Sequence, residues 1–344
     1  MTTNSSSFPQ SIRSFVARRR NLSMFLLVTL ALALLPVILR NNYQISILTF
    51  IGLFTILTVG LSLLMGYAGQ VSLGHAVFYG MGGYGAALLT LRLGLPAWAS
   101  IPCAAILTGL VAYLIGIPLL RLRGNYLAMA TLGLNIIFFL VATNETALTG
   151  GPNGLQGYGK LSFGSIIFKT DMQFYYLIWA VALVVLAVSL NVVNSRIGRA
   201  LRAIHDSEVA AEALGVNTER FKTQVLVLSA VYASLAGSLY AFWIGIVSPG
   251  DFSITFSTEL VVMVAVGGLS SVWGAIFGAA AVTMLTEFLR NALPRLLGGA
   301  SGELQIVVFG VLLVLIMVFL PEGLTTGTLL RLRAWRAGRP EKKS

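Results

Sequence analysis

Residues 45–65 read ISILTFIGLFTILTVGLSLLM and carry no charged side chain. They lie inside a longer stretch, between Arg40 and Arg92, that contains no Asp, Glu, Lys or Arg. A helix of about 20 apolar residues is enough to cross the hydrocarbon core of a bilayer. The stretch therefore predicts at least two membrane-spanning helices and places the chain among the integral membrane proteins.

The composition of the whole chain agrees with this class. Of its 344 residues, 57% are hydrophobic and 10% are charged, whereas about a quarter of the residues of a soluble domain are charged. The formal net charge is +11, but the charges lie at the ends of apolar runs instead of on one face of a domain. This pattern predicts contact with membrane lipid and argues against a nucleic-acid partner.

Clear apolar runs of spanning character cover 24–39, 45–65, 76–91, 98–119, 125–142, 173–193, 225–247 and 303–320. The stretch between Glu259 and Glu287 is ambiguous. A single helix of about 28 residues would be about 42 Å long and would exceed a hydrocarbon core of about 30 Å. Gly267, Gly268 and Gly274 interrupt its middle, so it forms either one span or two short ones.

The distribution of basic residues decides between these alternatives, because Lys and Arg concentrate in short cytoplasmic loops. With about ten spans and a cytoplasmic N-terminus, most of the 23 Lys and Arg residues fall on the cytoplasmic side. With one span fewer the division is nearly even. We therefore predict an all-α integral membrane protein with about ten transmembrane helices and both termini cytoplasmic. Its parts are a basic N-terminus (1–23), a transmembrane permease domain (24–322) and a basic tail (323–344).

The order of the spans is compatible with two inverted five-helix repeats that contain broken helices. The second half of the spans runs opposite to the first half. In addition, Gly69-x-x-Ser72-x-Gly74 is echoed by Gly268-x-x-Ser271-x-x-Gly274. Glycine is frequent in both stretches, so the echo alone does not establish a repeat.

No motif in the chain predicts an enzyme. The segment from Gly154 to Lys160 matches the first positions of a nucleotide-binding loop, but Leu161 stands where a Ser or Thr would ligate magnesium. The two histidines, His75 and His205, have no carboxylate or cysteine cluster at metal-ligand spacing near them. We expect no catalytic residue, no metal and no cofactor in this chain.

Ionisable residues are also scarce inside the apolar runs. A proton- or sodium-coupled carrier would need such a group at mid-depth in the membrane. Their scarcity argues against a secondary carrier and favours energy that is supplied from outside the chain.

Two polar segments stand out between the spans. The loop 194–224 is expected to be cytoplasmic and to contain a short helix, capped by Asp206, favoured by Glu208 at its positive end and terminated by Gly215. Its apolar residues, among them Val209 and Leu214, suit a groove on another protein; a solvated connector is the alternative. The candidate coupling residues are Asp206, Ser207, Glu208, Val209, Ala210, Ala211 and Gly215.

The second segment is the loop 144–171, which is expected to be extracytoplasmic. Its run Gly150-Gly151-Pro152-Asn153-Gly154 predicts a tight turn. We expect this turn to face a solute-binding protein; a purely structural loop is the alternative.

Several motifs resemble the M-type permeases of branched-chain amino-acid (Liv-type) ABC importers. They are Gly66-Tyr-Ala-Gly69-Gln70-Val-Ser72-Leu-Gly74-His75, Arg121-Leu-Arg123-Gly124-Asn-Tyr126-Leu-Ala-Met-Ala-Thr131-Leu-Gly133, Thr149-Gly150-Gly151-Pro152-Asn153-Gly154 and Arg199-Ala-Leu-Arg202-Ala-Ile-His-Asp206-Ser-Glu208. The resemblance extends from about residue 45 to residue 322. It implies that Gly66, Gly69, Gln70, Ser72, Gly74 and His75 belong to the translocation pathway. ABC importers dock a Glu-Ala-Ala-x-x-x-Gly segment on the ATPase, and this chain has Val209 at the position of that Glu.

The same resemblance implies the partners of the chain. These are two ABC ATPase subunits that hydrolyse ATP, a homologous second permease in a heterodimer, and a periplasmic or surface solute-binding protein. The location is the cytoplasmic (inner) membrane of a bacterium, and the expected substrates are branched-chain or other apolar amino acids. Permeases for urea and short amides share these motifs and remain an alternative, as does, in another class, a stand-alone channel or secondary carrier.

Overall fold

The computed structural model describes residues 25–36, 41–163, 166–296 and 310–311. Its helices are α1 (Phe25–Pro36), α2 (Asn42–Ser62), α3 (His75–Leu93), α4 (Ala97–Leu119), α5 (Asn125–Asn144), α6 (Thr146–Thr149), α7 (Asp171–Asn194), α8 (Arg196–Asp206), α9 (Glu208–Ala213), α10 (Thr218–Ile244), α11 (Ile254–Gly267) and α12 (Val272–Leu296). A π-helical turn, Leu63–Tyr67, continues α2. Two short strand pairs join β1 (Leu155–Gln156) to β4 (Ile246–Val247) and β2 (Ser162–Phe163) to β3 (Ile166–Ile167).

Six of these helices are long and apolar enough to cross a membrane: α2 with its π turn, α4, α5, α7, α10 and α12. The structure thus confirms a multi-pass, helical membrane protein. Helix α3 has 19 residues and is rich in glycine, while α1 and α11 are shorter apolar helices. The span predicted at 303–320 and both predicted cytoplasmic termini lie outside the described residues, apart from 310–311.

The helix ends gather at two opposite ends of the bundle. At the first, which we call the Asp171 end, the Asp171 carboxylate accepts hydrogen bonds from Ser46 Oγ (3.2 Å) and Trp243 Nε1 (3.0 Å) and so ties α7 to α2 and α10. At the second, the Glu208 end, Glu208 lies 3.9 Å from Arg123 in the α4–α5 connection. Helices α2, α4, α7 and α11 run from the Asp171 end to the Glu208 end, and α3, α5, α10 and α12 run back.

Small residues allow the helix backbones to approach closely. A Cβ atom on Gly82 of α3 would lie 2.2 Å from the Ser234 carbonyl oxygen, and one on Gly237 of α10 would lie 1.9 Å from that of Tyr79. Ser238 Oγ also donates a hydrogen bond to the Gly82 carbonyl (3.0 Å). Close packing of this kind holds helices together in lipid, where the hydrophobic effect does not. Helices α3 and α10 are therefore in direct backbone contact at this crossing.

Two helix breaks lie towards the Glu208 end and touch each other. The first break, residues 63–74, consists of the π-helical turn and the segment that leads to α3, and the second break, residues 268–271, separates α11 from α12. Ser62 Oγ donates to the Leu269 carbonyl (2.8 Å), and Ser270 Oγ donates to the Gly66 carbonyl (3.1 Å). The ambiguous stretch between Glu259 and Glu287 thus forms two antiparallel helices, interrupted at the glycines that the sequence analysis singled out.

Candidate functional site

The loop 194–224 contains two helices instead of the one that was predicted. Helix α8 includes Asp206, so Asp206 does not cap the second helix. Ser207 does: its Oγ accepts a hydrogen bond from Ala210 N–H (3.3 Å). The prediction of Asp206 as the cap was wrong because the preceding chain is helical up to that residue. Gly215, with φ +82°, ends α9 in the left-handed conformation, and its N–H donates to the Glu212 carbonyl (2.9 Å).

Helix α9 is fastened to α10 by side chains. Lys222 Nζ lies 2.5 Å from Glu208 Oε1, and the Lys222 side chain is only 2% exposed. Thr218 Oγ1 donates to Glu212 Oε1 (2.6 Å). Lys222 was not among the residues that the sequence pattern singled out. Its partner stands 14 positions away across a turn, so no helical or strand periodicity reveals the pair.

The apolar residues of α9 divide between two faces. Val209 is 67% exposed and Leu214 is 83% exposed, whereas Ala211 is 1% exposed. Ala210 is also exposed. The surface that α9 offers to another molecule is therefore made by Val209, Ala210 and Leu214, and Ala211 packs against the rest of this chain.

The first break contains the motif from Gly66 to His75. Gly66 faces the second break, where a Cβ atom would lie 1.7 Å from the Leu269 carbonyl oxygen. Gly69 has φ +68°, and a Cβ there would lie 2.9 Å from Nδ1 of His205 in α8. The chain thus turns sharply after α2, where it lies against α8. At either glycine, a side chain larger than hydrogen would require neighbouring atoms to shift.

The polar members of this motif are buried. Gln70 Nε2 donates to the Ala68 carbonyl (2.9 Å), and Ser72 Oγ accepts from Gly74 N–H (3.4 Å). His75 opens α3 and is 1% exposed. Gln70 and Ser72 thus provide hydrogen bonds to backbone groups of the segment that leaves the helix.

Helices α5 and α11 hold the end of the first break through a polar junction, formed by Thr131, Asn135 and Ser257. Leu73 N–H donates to Thr131 Oγ1 (3.0 Å), and Ala76 N–H donates to Ser257 Oγ (3.1 Å). Asn135 Nδ2 donates to the same Ser257 oxygen at 2.7 Å. Thr131 belongs to one of the motifs that carry the family resemblance, but Asn135 and Ser257 were not predicted, since single Asn and Ser residues in apolar runs carry no spacing signal.

The run from Gly150 to Gly154 forms a tight turn at the Asp171 end. Gly150, Gly151 and Gly154 have φ of 77°, 61° and 75°, and Gly151–Asn153 is one 3-10 turn. Beyond it, β1 pairs with β4, and Tyr158 donates from its hydroxyl to the Ala241 carbonyl (2.7 Å). Pro152 and Asn153 are exposed. The turn therefore presents two side chains outward from a segment that is fixed to α10.

Among the residues that the structure describes, no group of three or more His, Cys, Asp or Glu side chains is placed to hold a metal ion. The polar clusters described above instead join helices to one another or support irregular backbone.

Comparison with known proteins gives a consistent family. A high-affinity branched-chain amino acid transport system permease protein LivM of Escherichia coli K12 is 32% identical over 329 residues, which is 89% of this chain and 75% of that protein. LivM of Salmonella typhimurium is 31% identical over 88% of this chain and 74% of its own length. LivH of Escherichia coli K12 is 25% identical over 79% of this chain and 90% of its own length. No solved structure matches the chain.

The family model described as "branched-chain amino acid transport system / permease component" matches residues 43–317, which include both helix breaks, helices α8 and α9 and the turn at Gly150. The chain therefore belongs to the family of permease components of branched-chain amino acid transport systems.

Proposed function

We propose that this permease subunit forms the translocation pathway of an ATP-driven importer for branched-chain or other apolar amino acids. ATP is hydrolysed by two separate ATPase subunits, and the chain itself uses no cofactor. A second, homologous permease completes the pathway, and a solute-binding protein delivers the substrate. The relatives named for branched-chain amino acid transport support this substrate class.

The observation that carries the proposal is the construction of α9. A short helix with exposed Val209 and Leu214 suits a groove on a partner protein. The same helix is attached to α10 through Glu208 and Lys222. Because α10 packs against α3 at Gly82, displacement of α9 by an ATPase is passed to the helix that follows the first break.

The two helix breaks are the proposed moving part of the pathway. The candidates are Gly66, Gly69, Gln70, Ser72, Gly74 and His75 together with the polar junction. The first break is held by hydrogen bonds to α5 and α11 and not by a continuous helix, so it can rearrange without breaking a full helical turn. Irregular backbone between membrane helices is tolerated where it is buried in protein or lines a cavity.

The proposed topology has ten spans and both termini in the cytoplasm of a bacterial inner membrane. The Glu208 end is the cytoplasmic side, because it gathers Arg121, Arg123, Arg196, Arg199, Arg202, Arg220 and Lys222. The domain limits 1–23, 24–322 and 323–344 and an inverted relation between the two halves are part of the same proposal.

An impermeant thiol reagent should leave Ala337→Cys unmodified in intact cells, in a background where Cys103 is replaced by Ala. Modification there would exclude this topology.

Reconstitution tests the function. The permease pair and its ATPases are placed in proteoliposomes with ATP inside and the loaded solute-binding protein outside. We expect leucine uptake that requires both ATP and the binding protein. Uptake by this chain without the ATPases would favour a stand-alone channel or secondary carrier. Binding of urea or a short amide, and not of leucine, by the binding protein would assign the importer to those substrates.

A further inference from the structure

The connection between α10 and α11 contains one acidic residue, Asp251, in the 3-10 turn Pro249–Phe252. Its Oδ2 accepts a hydrogen bond from Ser248 N–H (3.1 Å), and Ser248 caps the turn in return. Burial raises the pKa of the Asp251 carboxyl above its usual value. A carboxylate has about four acceptor positions, so the cap occupies only part of its hydrogen-bonding capacity.

Aromatic side chains surround this carboxylate. The Tyr240 hydroxyl interacts with the Asp251 carboxylate and favours its charged form, and the Tyr240 ring lies 5.7 Å from that of Tyr79. Tyr79 also contacts Phe252 and Phe256, each with ring centroids 5.2 Å apart. We call Tyr79, Tyr240, Phe252 and Phe256 the aromatic cluster. Tyr240, Phe256 and Asp251 are partly exposed, whereas Tyr79 and Phe252 are buried.

The carboxylate lacks a cationic partner in the described part of the chain, where the ion pairs involve Glu208, Glu219 and Glu287. A carboxylate that has lost part of its hydration is costly without an opposite charge. The faces of aromatic rings also attract cations. The carboxylate and the rings together form a surface that suits a cation with an attached apolar group.

We propose that Asp251 and the aromatic cluster bind the α-ammonium group and the adjoining apolar side chain of an amino acid as it enters the pathway. This inference rests on the proposed function, and it names the group of the substrate that is recognised. The location fits, because Asp251 follows β4, which pairs with the segment next to the turn at Gly154. A substrate released at that turn meets Asp251 before it reaches the polar junction.

A labelling experiment tests binding directly, without transport. Gly250 is exposed, and a Cβ atom there would lie 3.8 Å from its nearest neighbour, Ser248 Oγ, so Gly250→Cys fits. In a Cys103→Ala background, millimolar leucine should slow reaction of this cysteine with a maleimide in the purified complex. The corresponding keto acid, which lacks the ammonium group, should leave the rate of this reaction unchanged. Equal protection by both compounds, or protection that survives Asp251→Asn, would overturn the assignment.

Uptake by a matched pair of variants separates recognition from structure. Asp251→Asn keeps an acceptor for Ser248 N–H and removes the charge, whereas Ser248→Ala removes the side-chain cap and keeps the charge. We expect Asp251→Asn to lower leucine uptake about tenfold or more, as the loss of a hydrogen-bonded charge does, while Ser248→Ala stays near wild type. Equal losses in both variants would show that Asp251 only supports the turn. If wild-type complexes show no ATP-driven uptake, the proposed function fails, and the labelling result still decides whether the site binds an ammonium compound.

Discussion

The connecting segments at the two ends of the bundle are built in different ways. At the Glu208 end, residues 195–217 form helices that are capped by Ser195, Ser207 and Asn217 and fastened by the Lys222–Glu208 pair. At the Asp171 end, the described residues between 145 and 170 form the short helix α6, turns and two-residue strands, and glycines in the left-handed region determine their path. The first segment is positioned by side-chain charge and the second by backbone geometry. The first should therefore respond to charge substitutions, and the second to the addition of a Cβ atom.

The largest effect is expected for Lys222→Met, which leaves Glu208 without its buried partner. The cost is about 2–3 kcal/mol, at the low end for a broken buried pair because Arg123 lies 3.9 Å from the same carboxylate. Leucine uptake in proteoliposomes should fall by about tenfold or more. The double variant Lys222→Met/Glu208→Gln should recover much of it, because it leaves no unpaired charge. A double variant as poor as the single one would show that the pair does not position α9.

The backbone of the other segment is tested by Gly154→Ala. Gly154 has φ +75°, and a Cβ atom would lie 2.7 Å from the Val247 carbonyl oxygen. Strain and contact together should cost about 1–3 kcal/mol and lower the thermal unfolding midpoint of the purified complex. The control is Gly157→Ala, with φ +82° but no atom within 4 Å of the Cβ position. If the two variants lose equal stability, the approach to β4 contributes nothing beyond conformational strain.

The exposed face of α9 is tested by Leu214→Asp. Leu214 is 83% exposed, so this chain should insert and fold normally. Loss of an apolar contact of about 1.5–3 kcal/mol should reduce the amount of ATPase that co-purifies with the permease. Ala211→Asp is the contrasting variant, because Ala211 is buried and its substitution should destabilise α9 itself. Full ATPase recovery with Leu214→Asp would remove Leu214 from the docking surface.

A smaller effect is expected at the exposed tip of the Gly150 turn. Replacement of Pro152 and Asn153 by Ala should leave assembly intact, because both side chains are exposed. We expect a loss of a few-fold in the ATP hydrolysis that the solute-binding protein stimulates, since interface residues outside the central contacts each contribute little. Unchanged stimulation would return this turn to a purely structural role.

The smallest effect is expected for Arg121→Gln, which breaks the Arg121–Glu219 pair at the Glu208 end. The two atoms lie 3.9 Å apart and both side chains are more than half exposed. Exposed pairs of this kind contribute little to stability. Uptake should therefore change by less than about twofold, in contrast to Lys222→Met. A large loss of uptake would mean that exposed charges at this end contribute to transport in addition to the buried Lys222–Glu208 pair.

The amount of structure that can be predicted from sequence differs within α8 and α9. The end of α9 at Gly215 was predictable, because a left-handed residue after a helix favours glycine and the signal lies in one residue. Its start was not: Asp206 and Ser207 are both good caps, and the choice depends on how far α8 extends. The burial of Ala211 could not be predicted either, because α9 is too short for an apolar periodicity to identify its buried face.

The sequence by itself determined the membrane class, the approximate positions of the spans and the interruption near Gly267. These features follow from hydropathy and from the backbone preferences of glycine, which act locally along the chain. The tertiary structure alone decided that the two breaks touch, that Asn135 meets Ser257 and that Lys222 meets Glu208. Such contacts join residues that are 14 to 204 positions apart. Their partners are selected by the way in which several helices pack at once, and no local pattern in the sequence records that choice.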